Sequence, residues 1–116
     1  MRMVPTGRFR VEEDRGRLLF YPESLQEEGI YFVAEERNGL YLVHDDGTTL
    51  EVLSERVGDA VDVVREVRFG CRCHGFGFRE GVVSVKVPRG SLEDTLRRME
   101  RFVVEVYHKT TKGLGE

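Results

Sequence analysis

Tryptophan is absent, cysteine occurs twice, proline three times, and Asn38 and Gln26 are the only side-chain amides. No apolar run approaches the roughly 18 residues that a bilayer-crossing helix needs, and residues 1–10 hold no apolar signal-peptide segment. A membrane-spanning helix is therefore not expected, and the cytoplasm is the expected location. Cys71 and Cys73 stand only two apart. A bond between them would close an awkwardly small ring, so they do not make a secreted disulfide framework. Scarce amides and a large excess of arginine over lysine fit a thermophilic source, and equally a GC-rich genome.

What remains is ordinary globular material. Of 116 residues, 40% are apolar and 34% charged, with a net charge of -3, a balance that builds one core and is too apolar for a disordered chain. One domain is expected over residues 1–116, with residues 110–116 as a loose tail.

The first half reads as hairpins. Residues 8–13 alternate around Phe9 and Val11, Asp14-Arg15-Gly16 turns the chain, and Leu18 to Tyr21 run on to Pro22. A strand over residues 30–35 leads to Asn38-Gly39, the strongest short hairpin signal, and Leu40-Tyr41-Leu42-Val43 returns. Thr48 with Glu51 forms a capping-box pattern, Leu50, Leu53 and Val57 share a helical face, and Gly58 suits a stop, which predicts a short middle helix. Val61, Val63, Val67, Phe69, Cys71 and Cys73 all occupy odd positions, which predicts a strand with one apolar face, interrupted at Arg65. His74-Gly75-Phe76-Gly77 should bend the chain, and residues 82–87 form another strand, stopped by Pro88. Ser91 and Asp94 open a final helix, with Leu92, Leu96, Met99, Val103 and Val106 as its inward stripe. The expected fold class is α+β: antiparallel hairpins, a short middle helix and a C-terminal amphipathic helix.

Few residues suggest chemistry. Cys71, Cys73 and His74 carry zinc-ligand atoms, but on a strand the histidine opposes the two thiols and leaves a tetrahedron incomplete, so no metal and no cofactor are expected. Phe76 and Phe78 between glycines resemble the base-stacking segment of RNA-recognition motifs, with Arg79 and Gly81 departing from that pattern. No phosphate loop or nucleophile–base pair is legible, and the Asp45-Asp46 pair sits in a turn, where solvated carboxylates are usual. An enzyme is not expected.

Taken in order, several segments resemble the LytTR-type DNA-binding domain of bacterial regulators. Gly16-Arg17-Leu18-Leu19-Phe20 is similar to that family's opening strand, followed by Glu27, Glu28, Ile30, Tyr31, Phe32 and Val33. Leu40-Tyr41-Leu42-Val43-His44-Asp45-Asp46-Gly47 matches its next strand and turn, and Leu50, Leu53, Val57 and Gly58 its short helix. Phe78-Arg79-Glu80-Gly81 and Val87-Pro88-Arg89 with Leu92 and Leu96 resemble its later turn and ending. Of the segment with which that family meets DNA, only Arg65 has a counterpart here. The resemblance implies double-stranded DNA as partner and a role in transcription regulation, with Arg65, Arg68, Arg72 and Arg89 reaching phosphates and guanine edges. The alternative expectation is a non-enzymatic protein-interaction or ligand-binding domain, or a homodimer, without a membrane partner.

Overall fold

The computed structural model describes residues 3–111. They form β1 (Phe9–Asp14), β2 (Arg17–Pro22), β3 (Phe32–Arg37), β4 (Leu40–His44), α1 (Thr48–Val57), α2 (Ala60–His74), β5 (Gly77–Arg79), β6 (Val82–Pro88) and α3 (Leu92–Thr111). Short 3₁₀ turns occupy Glu23–Glu28 and Arg89–Ser91. The fold is α+β, as its sequence pattern predicts, but with two middle helices in place of one. Thr110 and Thr111 continue α3, and the remainder of the expected loose tail lies outside the described residues.

The strands make one antiparallel sheet in the order β1-β2-β3-β4-β6-β5. Its hairpins close on two-residue turns with positive φ at both positions: Arg15-Gly16, Asn38-Gly39 and Glu80-Gly81. That type I′ geometry matches the right-handed twist of the flanking strands. Register then decides which side chains go inward. Leu18 faces Ala34, Phe20 faces Phe32, Ala34 faces Val43, Tyr41 faces Val87 and Val83 faces Phe78. This face packs under the helices into one apolar cluster with Leu53, Val63, Val67, Leu96, Met99, Phe102 and Val103. The stripe expected for α3 is the one observed: Leu96, Met99, Val103 and Val106 are buried.

Glu100 lies on that same inner side of α3 and is buried as well. Its carboxylate accepts from the Thr6 amide (3.1 Å), the Gly7 amide (3.0 Å) and the Ser24 hydroxyl (2.6 Å), so burial leaves it satisfied. The segment before β1 is thereby tied to the helical layer, and the Met3 carbonyl meets His108 Nε2 at 2.8 Å.

Residues 60–74 correct the sequence reading, for they form helix α2 and not a strand. The Asp59 carboxylate accepts from the Val61 and Asp62 amides (3.1 and 3.2 Å) and caps the first turn. Gly75, at φ 76°, ends the helix with its amide bonded to the Cys71 carbonyl. Val63, Val67, Gly70 and Cys71 face the core, while Val61 (74% exposed) and Phe69 (55%), expected inward, point to solvent. The capping box expected for α1 does not form either. Gly47 precedes that helix in the left-handed region, and the Thr48 hydroxyl donates to the Asp45 carbonyl at 2.7 Å.

α2 runs against α3, and Gly70 makes the close approach possible. A Cβ there would stand 2.6 Å from a ring carbon of Phe102 and 3.4 Å from a Val106 methyl. Gly70→Ala should therefore destabilise the protein by about 1–3 kcal/mol, the usual cost of overpacking, although alanine favours an exposed helix by about 1 kcal/mol. Urea unfolding would measure this, and a stabilised variant would mean that the two helices lie further apart.

Candidate functional site

The expected arginines fall into two groups. Arg65, Arg68 and Arg72 lie on α2 at spacings of three and four, and all three are exposed. At about 100° per residue they share a sector roughly 100° wide with Val61 and Phe69. This surface spans about 16 Å of helix at ~1.5 Å per residue. Lys109, from the last turn of α3, places its ammonium 5.2 Å from the centre of the Phe69 ring and adds a fourth cation. Arg68 sits 5.5 Å over the Phe78 ring, Arg65 pairs with Asp62, and Arg72 makes no ion pair among the described residues. Val61, Val64, Arg65, Arg68, Phe69 and Arg72 line one shallow depression.

Arg89 does not join them. It follows β6, in the turn leading to α3, and pairs with Glu36 at the end of β3. Phe69 is the residue that sequence reasoning missed, because a strand would have carried it inward beside Val67. Its spacing of three from Arg72, which shares a face only on a helix, was the available signal.

The other suggestive residues serve the fold. Phe76 is buried, stacked on His74 (5.8 Å) and edge-on to Phe102 (5.5 Å), so its face is closed to a stacked base. On a helix the two cysteines point apart. Cys71 lies in the core, where burial and then the charge of Asp45 push its thiol up to about 12, while Cys73 is exposed. His74 Nε2 lies 3.1 Å from Glu105. Among the described residues no three potential metal ligands come together.

The outer face of the sheet carries a polar chain. Glu35 lies 3.3 Å from both Arg37 and His44 Nε2, and His44 Nδ1 accepts from the Asp46 amide at 3.1 Å. The amide assigns the imidazole proton to Nε2, directed at Glu35. Both ring nitrogens are thus engaged, and Ser84, across the ladder from His44, has no imidazole nitrogen free to act as its base. Asp46 also accepts from the Tyr31 hydroxyl at 2.5 Å, a bond that, with burial, pushes the Tyr31 pKa up to about 12. These contacts fix the turn between β4 and α1.

Asp45, expected to be solvated with Asp46, is fully buried. Its Oδ1 accepts from the Gly47 amide (2.9 Å) and from the Val83 amide of β6 (3.0 Å), which locks the turn to the neighbouring strand. Neither Oδ2 nor the nearby Thr49 hydroxyl has a hydrogen-bond partner among the described residues. Burial raises the carboxyl pKa, offset in part by the adjacent Thr49 hydroxyl and then by the surrounding amides. A folded-state pKa above the unfolded one favours the fold at low pH, and that contribution fades as pH rises through the folded value. Wild type should therefore lose stability relative to Asp45→Asn as pH is raised above about 4, the ordinary aspartate value. Denaturation curves across that range should show the gap changing in this direction, and a pH-independent gap would contradict it.

No helix among the described residues is long and apolar enough to cross a membrane. The chain matches no known protein family, no curated protein and no solved structure.

Proposed function

We propose that the protein is a non-enzymatic interaction domain whose α2 outer face docks an acidic segment of a partner protein carrying an apolar anchor. The observation that carries this reading is Phe69, 55% exposed on a folded helix and surrounded by Arg65, Arg68, Arg72 and Lys109. Fully burying such a side chain is worth about 1.5–3 kcal/mol, of which half-exposed Phe69 has roughly half still to gain. Aromatic residues and arginine are also the types that dominate binding energy at protein interfaces. The four cations select acidic groups around the anchor, on a chain whose overall charge is negative.

The DNA-binding role implied by the LytTR resemblance would use the same three arginines without Arg89. Their placement on successive turns of an exposed helix favours that second reading. Duplex DNA, however, leaves the exposed Phe69 ring without a partner.

The two readings separate in one set of measurements. Selection of a randomised displayed-peptide library on the folded protein should enrich peptides that combine Asp or Glu with aromatic or large aliphatic residues. Binding of an enriched peptide should weaken by about tenfold or more in both Phe69→Ser and Arg68→Glu, as expected at an interface centre. The opposite result is no such enrichment together with duplex DNA binding. Three phosphate contacts would then give a log–log salt slope of about -2.7, and the DNA reading would replace this one.

A further inference from the structure

β1 is an edge strand, and from Arg10 to Asp14 every residue is exposed. Its hydrogen bonds to β2 follow from the register. The Arg8 carbonyl accepts from the Glu23 amide at 2.9 Å, and Phe9 stands opposite Pro22, which has no N–H to give. Antiparallel ladders alternate bonded and non-bonded pairs. Arg8, Arg10, Glu12 and Asp14 therefore direct their backbone groups toward the neighbouring strand. Phe9, Val11 and Glu13 direct N–H and C=O outward, where no strand among the described residues meets them.

Natural edge strands commonly carry charges that repel an incoming strand. The charges of β1 are sorted along the strand. On one face it reads Arg8, Arg10, Glu12, Asp14, basic in its first half and acidic in its second. A second copy laid antiparallel with Val11 opposite Val11 brings Arg10 opposite Glu12 and Arg8 opposite Asp14, each pair twice over. These fall at non-bonded positions, where side chains approach most closely. Val11 and the Phe9–Glu13 pairs fall at bonded positions, which are the ones with outward backbone groups. Shifting the register by one residue on each strand sets Glu12 against Glu12, or Arg10 against Arg10. Backbone parity admits all three alignments, and charge singles out the one centred on Val11, which alone sets no like charges opposite each other.

We propose that β1 is a homodimerisation edge, pairing antiparallel about Val11 with β1 of a second copy to make a continuous twelve-stranded sheet. The contact is isologous, so it closes at two copies. It brings together the exposed Val11 side chains (53%), which project from the same side of the joined sheet. Arg10 and Glu12, 2.6 Å apart within one strand, exchange that contact for the pair across the two-fold. One strand buries less than the roughly 1,200–2,000 Å² of a standard interface, so the dimer is a weak one. It weakens further in ~1 M salt, where the screening length falls to about 3 Å.

Sedimentation velocity of the full chain over a concentration series tests this. Wild type should shift from monomer to dimer across that range, and Arg10→Glu and Glu12→Arg should each remain monomeric. Mixed in equal amounts, the two single variants should form a heterodimer, because the two acidic side chains of one then face the two basic side chains of the other. Val11→Pro removes an outward N–H and no bond to β2, so it should stay folded by circular dichroism and lose the dimer. Wild type that stays monomeric throughout would overturn the proposal. So would single variants that associate as wild type does, or a mixture that stays monomeric while wild type dimerises. The charge variants alter exposed positions and decide the matter even if Val11→Pro fails to fold.

Discussion

The approach of α2 to α3 at Gly70 fixes the orientation on which most of the molecule's surface chemistry depends. With no side chain at Gly70, the Phe102 ring fits against the α2 backbone and Val106 lies just beyond. Val63, Val67 and Cys71 then complete the inward stripe, and the remaining sector of α2 has nowhere to go but water. The arginines and Phe69 are exposed for that reason. A helix turned by a third would bury Phe69 and bring Arg65 toward the core at a severe desolvation cost.

Two buried carboxylates hold the parts that the apolar core does not reach. Asp45 joins the turn before α1 to β6, and Glu100 joins α3 to the segment before β1 and to the 3₁₀ turn after β2. Each accepts mainly from donors that would otherwise be left without partners, so each does locally what a helix cap does. The two differ in completeness. Glu100 uses both of its oxygens, whereas Asp45 leaves Oδ2 without a partner among the described residues. Burial raises the pKa of Asp45 in spite of the donors around it.

Local signals were enough for the hairpins and for α3. Asn38-Gly39 and Arg15-Gly16 announce positive-φ turns, and the spacing of Leu96, Met99, Val103 and Val106 belongs to a helix alone. α2 was misread because Val63, Val67 and Cys71 are four apart. That spacing serves a strand of period two and a helix of period 3.6 almost equally well. The deciding marks were the boundary residues Asp59 and Gly75, which carry the caps. Asp45 and Glu100 were illegible for a different reason, since their burial comes from Val83, Thr6 and Ser24, which are distant in sequence. The basic surface was half legible. The family resemblance singles out three of its arginines, though not as one helical face, while Phe69 and Lys109 required the helix and its packing against α3 to be known.

An alanine scan of residues 61–73 read out as unfolding free energy tests the orientation of α2 most directly. The account predicts losses at Val63 and Val67 of the size usual for buried valines, about 1–3 kcal/mol. Val61, Arg65, Arg68, Phe69 and Arg72 should change stability by within about 0.5 kcal/mol, as surface positions do. A loss at Phe69 and Val61 equal to that at Val63 and Val67 would be the alternating pattern of a strand, and would contradict it.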